Sequence, residues 1–154
     1  MSLHSLKSTQ KLPIDLDKAW DFFSSPANQK TITPDYMSFK VTSEDAEAKI
    51  FPGMIISYVV RPVLHLPMEW VTEITHMKER EYFVDEQRFG PYSLWHHKHF
   101  FKAIDGGVEM TDVVHYKIPF GLVGDLANKI FIRKKLLEIF DYRTQKLTEL
   151  FGKI

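Results

Sequence analysis

The chain of 154 residues is 44% hydrophobic and 26% charged, a balance that fits one globular domain, 1–154, with a substantial core. Twenty basic and 20 acidic residues cancel, so no global field draws the protein to nucleic acid or to an anionic membrane. With no cysteine, disulfides, thiolate nucleophiles and cysteine-rich zinc sites are excluded.

The opening "MSLHSLKSTQKLPID" lacks the apolar core of a signal peptide, and no later stretch is apolar enough to span a bilayer. The expectation is a cytoplasmic protein. "HSLKSTQKLPI" reads as a short strand that ends at Pro13. "IDLDKAWDFFSSP" is a helix, with Asp15 or Asp17 as N-cap and Leu16, Ala19, Trp20 and Phe23 at helical spacing. Trp20 and Phe23 are assigned to the core. "ANQKTIT" forms a second short helical stretch before Pro34.

From Phe39 to Pro119 the period changes to that of strands. "MIISYVVRPV", "MEWVTEITHM", "EYFVDEQRF", "SLWHHKHFFKAI" and "VEMTDVVHYKI" are rich in β-branched and aromatic residues, and the turn signals "HLP", "KERE", "GPY" and "DGG" separate them. This is an antiparallel meander, with "KAIDGGVEM" its clearest hairpin. The "GPY" turn is placed at the border of any opening. A final helix begins near Leu122. At about 100° per residue, Leu122, Val123, Leu126, Ile130, Leu137, Phe140, Leu147 and Phe151 form one stripe suited to covering a sheet. The element order defines an α+β protein.

Alternation then assigns faces. Lys98 and Lys102 face water, which turns Trp95, His97, His99 and Phe101 toward the helix and leaves His96 outside. Glu109 and Thr111 mark the outside of the last strand, leaving Met110, Asp112, Val114 and Tyr116 inside. In "FVDEQ", Glu86 and Arg88 are the more strongly charged set, so Phe83, Asp85 and Gln87 point inward although Val84 argues otherwise. A two-residue Asp105-Gly106 turn puts His99 opposite Asp112; a shift of two puts it beside Val114. A solid core rarely carries so many polar groups unless they pair, whereas a partly hydrated pocket tolerates them. The inward face implies a cavity.

The block "FVDEQRFGPYSLWHHKHFFKAIDGGVEMTDVVHYKIPFG", with "PIDLDKAWDFFSSPANQKTITP" and "IFDYRTQKL", resembles the ligand-binding SRPBCC superfamily. That group includes START domains, birch-pollen allergen proteins and polyketide cyclase/dehydratase-like proteins, and the nearest resemblance is to small bacterial members. The resemblance implies a helix-grip fold, in which a curved antiparallel sheet wraps a long C-terminal helix and two short helices close one end. It also implies a hydrophobic tunnel between sheet and helix. Superfamily membership transfers a pocket rather than a reaction.

Within that frame, apolar contact to a small hydrophobic ligand, a lipid or an aromatic polyketide-like compound, falls to Trp70, Phe83, Trp95, Phe101, Tyr116, Ile130 and Leu137. Asp85, Gln87, His97, His99, Asp112 and Arg133 orient its polar end. Arg133 sits at the centre of the helix stripe. It either reaches inward to Asp85, Asp112 or a ligand carboxylate, or lies where the helix bends outward or its side chain snorkels to the pocket mouth. Phe131, Ile132, Leu136 and Ile139 lie off the stripe and pack on a sheet edge, form a homodimer contact or rim the entrance.

His97 and His99 share a strand face roughly 6–7 Å apart at the backbone, a spacing that zinc accepts when a third ligand such as Asp112 or Asp85 converges. No second compact ligand motif accompanies them, and neutral imidazoles in a polar ladder need no metal, so no metal or cofactor is assigned. The rival to a binding protein is a cyclase-, aromatase- or dehydratase-like enzyme with His97 or His99 as general base beside Asp112. No nucleophile elbow, phosphate loop or cofactor fingerprint supports another chemistry.

Overall fold

The computed structural model describes residues 2–44, 48–61 and 66–154. The last residues of the predicted "MIISYVVRPV" strand and the start of the "HLP" turn lie outside them.

Strand β1 (His4–Leu12) is followed by helix α1 (Leu16–Phe23) and two 3-10 helices, Pro26–Ile32 and Asp35–Met37. Asp15 caps α1 by accepting from the Lys18 backbone N–H at 2.7 Å, which satisfies a donor the first helical turn leaves open. Trp20 and Phe23 on its inner side are buried against Phe83 and Phe101 of the sheet. Six strands follow: β2 (Lys40–Val41), β3 (Ile55–Val60), β4 (Met68–Lys78), β5 (Tyr82–Phe89), β6 (Leu94–Ile104) and β7 (Gly107–Lys117). They and β1 make one seven-stranded sheet of order β1-β7-β6-β5-β4-β3-β2, antiparallel throughout.

Ile104 pairs with Gly107, so β6 and β7 are joined by the two residues Asp105 and Gly106. Gly106 takes φ +77°, a left-handed backbone that a Cβ would strain. That turn sets His99 opposite Asp112 and His97 opposite Val114. Register therefore runs straight from turn chemistry to the placement of two charged side chains.

The C-terminal helix runs as α2 (Gly121–Ala127), a π turn (Asn128–Ile132) and α3 (Arg133–Phe151). Its inner side corrects the predicted stripe. Gly124 is buried in α2, Asn128 at the start of the π turn, and Leu136, Phe140, Arg143 and Leu147 after it. Leu122, Val123, Leu126, Ile130 and Leu137 are exposed instead. The cause is local. A π turn holds one extra residue, which rotates everything downstream by about 100° relative to a uniform helix. Asn128 anchors that turn by accepting a buried hydrogen bond from the Tyr116 hydroxyl at 3.0 Å.

Two apolar clusters lie between sheet and helix. One gathers Trp20, Phe23, Phe83, Phe101 and Leu147; the other gathers Trp95, Tyr116, Leu136 and Phe140. A curved antiparallel sheet gripping a long terminal helix, with short helices after the first strand, is the helix-grip arrangement.

Candidate functional site

A hollow of about 470 Å³ lies between the concave sheet face, the 3-10 segment and the terminal helix. Its sheet wall includes Tyr58, Trp70, Phe83 and Trp95, and its helix wall Phe131, Ile132, Leu136, Ile139 and Phe140. Pro91 and Tyr92 of the "GPY" turn also border it. Against this apolar lining, Asp85, His97 and Arg143 supply charged and polar atoms.

Those three belong to a buried network with His99 and Asp112. His99 Nε2 donates to Asp85 Oδ2 at 2.6 Å, and His97 Nε2 donates to Asp112 Oδ1 at 3.0 Å. Carboxylates offer only lone pairs, so the imidazole nitrogens facing them carry the protons. His99 Nδ1 lies 2.9 Å from Asp112 Oδ1, out of line for a hydrogen bond, and His97 Nδ1 lies 3.6 Å from Asp85 Oδ2. Arg143 Nη2 approaches the same Asp112 oxygen at 3.4 Å, while its Nε and Nη2 make no hydrogen bond. The guanidinium carbon sits 5.4 Å from the Phe23 ring centre and 6.0 Å from that of Phe140, so aromatic faces supply part of its stabilisation.

The charges follow from burial and neighbours. For Asp112, burial pushes the carboxyl up, but Arg143 and the two imidazoles outweigh it and hold the group well below its ordinary value. Asp85 is lowered in the same way: burial opposes, and His97 and His99 prevail. The imidazoles divide. Burial and the neighbouring His99 depress His97, whereas His99 is raised, because Asp112 and Asp85 outweigh the cost of burying its charge. Two carboxylates thus face the Arg143 guanidinium and two imidazoles, of which His99 is the one favoured to hold a second proton. Buried charge is tolerated on those terms.

Of the residues singled out from sequence, Trp70, Phe83, Asp85, Trp95 and His97 line the hollow. His99 and Asp112 lie buried behind them, with His99 stacked on Phe83 at 4.1 Å. Phe101 packs on α1, and Tyr116 is buried against the π turn. Gln87 is occupied elsewhere: its Nε2 donates to the Tyr92 carbonyl at 2.6 Å and its Oε1 accepts from the Tyr92 N–H at 3.2 Å, closing the β5–β6 turn.

Ile130, Arg133 and Leu137 are corrections. All three are exposed, because the inner face runs through Gly124 and Asn128 and then through Leu136, Phe140, Arg143 and Leu147, and Arg133 Nη1 donates instead to the Ser5 carbonyl at 3.3 Å. The guanidinium that reaches Asp112 belongs to Arg143, which a uniform helical phase misses. The spacing Ile132, Leu136, Phe140, Arg143, Leu147, read without the residues before Asn128, would have found it.

Asp85, His97 and His99 place one ligand-capable atom each within 4.8 Å of one another. Every one of these groups also has a protein partner in the network, and the adjacent Arg143 opposes a further cation. No helix among the described residues is long and apolar enough to cross a membrane.

No family model and no curated protein matches the sequence. Solved structures match over nearly the whole chain. TTHA0849 from Thermus thermophilus superposes with a TM-score of 0.74 at 13% identity, over 95% of each chain. Protein CV1439 from Chromobacterium violaceum gives 0.73 at 12% identity, covering 97% of this chain and 99% of that one. Ara h 8.0201 gives 0.61 at 13%, covering 96% and 99%. At these identities the likeness establishes the fold: the chain is a helix-grip protein.

Proposed function

We propose that this chain is a single-domain, cytoplasmic member of the SRPBCC superfamily that binds a small, largely apolar molecule between sheet and helix. One observation carries the reading. A hollow of about 470 Å³ with aromatic and aliphatic walls presents a confined polar floor of Asp85, His97 and Arg143. Small-molecule sites share that design, at roughly 300–1,000 Å³, with few polar groups fixing orientation. The lipid or aromatic ligand rests its apolar body against Trp70, Trp95, Leu136 and Phe140 and directs a polar group at His97 and Arg143. Native mass spectrometry of protein purified from its own host tests this. The expected result is an added mass that denaturation releases; a bare protein that also refuses apolar compounds overturns it.

A second reading is supported by His97 itself. Its ring is neutral, borders the hollow and is oriented by Asp112 through Nε2, leaving Nδ1 as a basic atom, which is the arrangement of a general base. A cyclase- or dehydratase-like enzyme uses such a group to remove a proton beside a carbonyl. A substrate screen on wild type, His97→Ala and His99→Ala separates the two. Turnover lost in a folded variant favours the enzyme; binding without turnover in all three favours the carrier.

A further inference from the structure

The apolar residues on the first turns of the terminal helix are largely exposed. Leu122 is 83% exposed, Val123 72%, Ile130 70% and Leu126 57%, and they lie within little more than two turns. Scattered exposed leucines are ordinary, but a contiguous set is not. Phe120, just before α2, adds a second observation. Its side chain is 80% exposed while its backbone sits at φ +72°, a left-handed conformation that bulky residues rarely adopt. The chain thus accepts backbone strain to hold an aromatic ring in water. Strain kept in this way at an exposed ring points to an external partner.

The charges around the stripe select the partner. Lys129, Arg133 and Lys134 are exposed on the same turns. The acidic groups nearby are engaged: Asp125 accepts from the Ser2 N–H at 3.1 Å, and Glu138 is paired with Lys135 at 2.8 Å. A locally basic, apolar face therefore sits on a chain of zero net charge. A second copy meeting this face across a two-fold axis would bring the basic groups together, which opposes association. An anionic bilayer complements both features, taking the apolar side chains at the acyl boundary and the cations at the headgroups.

We infer that Phe120 to Lys134 is a docking surface for an anionic lipid membrane. Phe120, Val123 and Phe131 also line the hollow, so the docked face borders it. An apolar molecule leaving the bilayer there reaches Trp70 and Trp95 without crossing water. That use rests on the ligand-binding reading; the docking itself does not.

Flotation with vesicles of phosphatidylcholine, alone or mixed with phosphatidylglycerol, tests the surface. Wild-type protein is expected to float with the mixed vesicles and to be released as salt rises. Leu122→Asp/Ile130→Asp should reduce the bound fraction about tenfold, because it puts two carboxylates into the contact. Lys129→Glu/Lys134→Glu, which leaves the apolar face intact, should abolish the preference for anionic lipid. Leu122 and Ile130 do not line the hollow, so uptake of an apolar anilinonaphthalene fluorophore should persist in the first variant and report that it is folded. Wild type that stays with the buffer, or variants that float equally well, overturn the proposal. So does a wild-type dimer that Leu122→Asp/Ile130→Asp dissociates, which would give the face to a second copy. If wild type floats yet takes up no fluorophore, docking stands and the ligand reading falls.

Discussion

His97 and His99 lie ring over ring, with centroids 3.7 Å apart and planes inclined by 35°, yet their surroundings push their pKa values in opposite directions. His99 is held between Asp85 and Asp112, whose carboxylates raise it above the ordinary imidazole value; burial and the adjacent His99 lower His97. Two-dimensional NMR of the imidazole nitrogens at neutral pH should show both nitrogens of one ring protonated and one tautomer, with the proton on Nε2, for the other. Lowering the pH should titrate only His97, below its ordinary value of 6.5. Two rings that titrate together at an ordinary value would contradict this assignment.

Arg143 balances the carboxylate of Asp112, the residue that accepts from His97. Arg143→Met removes that charge from beside Asp112 and leaves two carboxylates facing only the imidazoles, so His97 should titrate higher than in wild type. Asp112→Asn acts in the opposite direction by stranding Arg143 and His99. Breaking a buried pair in this way costs about 3–5 kcal/mol, to be read from urea denaturation.

Stability should depend on pH with two arms. Asp85 and Asp112 are held below the ordinary 3.8, so their contribution is present above that value and is lost as pH falls through their depressed values. His99 is raised above 6.5, so its contribution is complete below 6.5 and is lost as pH rises through its elevated value. His97, lowered, works against His99, since the unfolded chain takes its proton first as pH drops below 6.5. Thermal melts across pH should therefore decline on the alkaline side, and His99→Gln should flatten that arm. An alkaline decline identical in the variant would exclude His99 as its source.

Tyr116 reaches the π turn through a buried hydrogen bond. Tyr116→Phe deletes the donor to Asn128 Oδ1 and leaves that oxygen unsatisfied, a loss of about 1–3 kcal/mol. Hydrogen exchange should rise first at the amides of 128–132. Protection unchanged there would mean that the turn stands without the tyrosine.

The sheet side of the site was legible because strand periodicity is short and strongly marked. Lys98 and Lys102 oriented His97 and His99, Glu109 and Thr111 oriented Asp112, and the Asp105-Gly106 turn offered the register that brings them together. The helix side was not legible, since one extra residue in the π turn breaks the phase that joins Ile130 to Leu137 and hides Arg143 in a polar run. Gln87 shows a different limit. Its alternation points it inward, but the tight turn at Gly90 and Tyr92 takes both ends of its amide. Periodicity can place a side chain on a face without revealing which neighbour claims it.

The outer margin of β1 has a consequence for self-association. An open sheet exposes unpaired peptide groups at its border, where a foreign strand can add and start a fibril. Here the margin is fastened to the terminal helix at two points, by Arg133 to the Ser5 carbonyl and by Gln10 Nε2 donating to the Thr144 carbonyl at 2.9 Å. Lys7 and Lys11 project from the same strand into water and repel an incoming copy. The sheet can thus stay unclosed, as a gripping fold must, without becoming a template for its own aggregation.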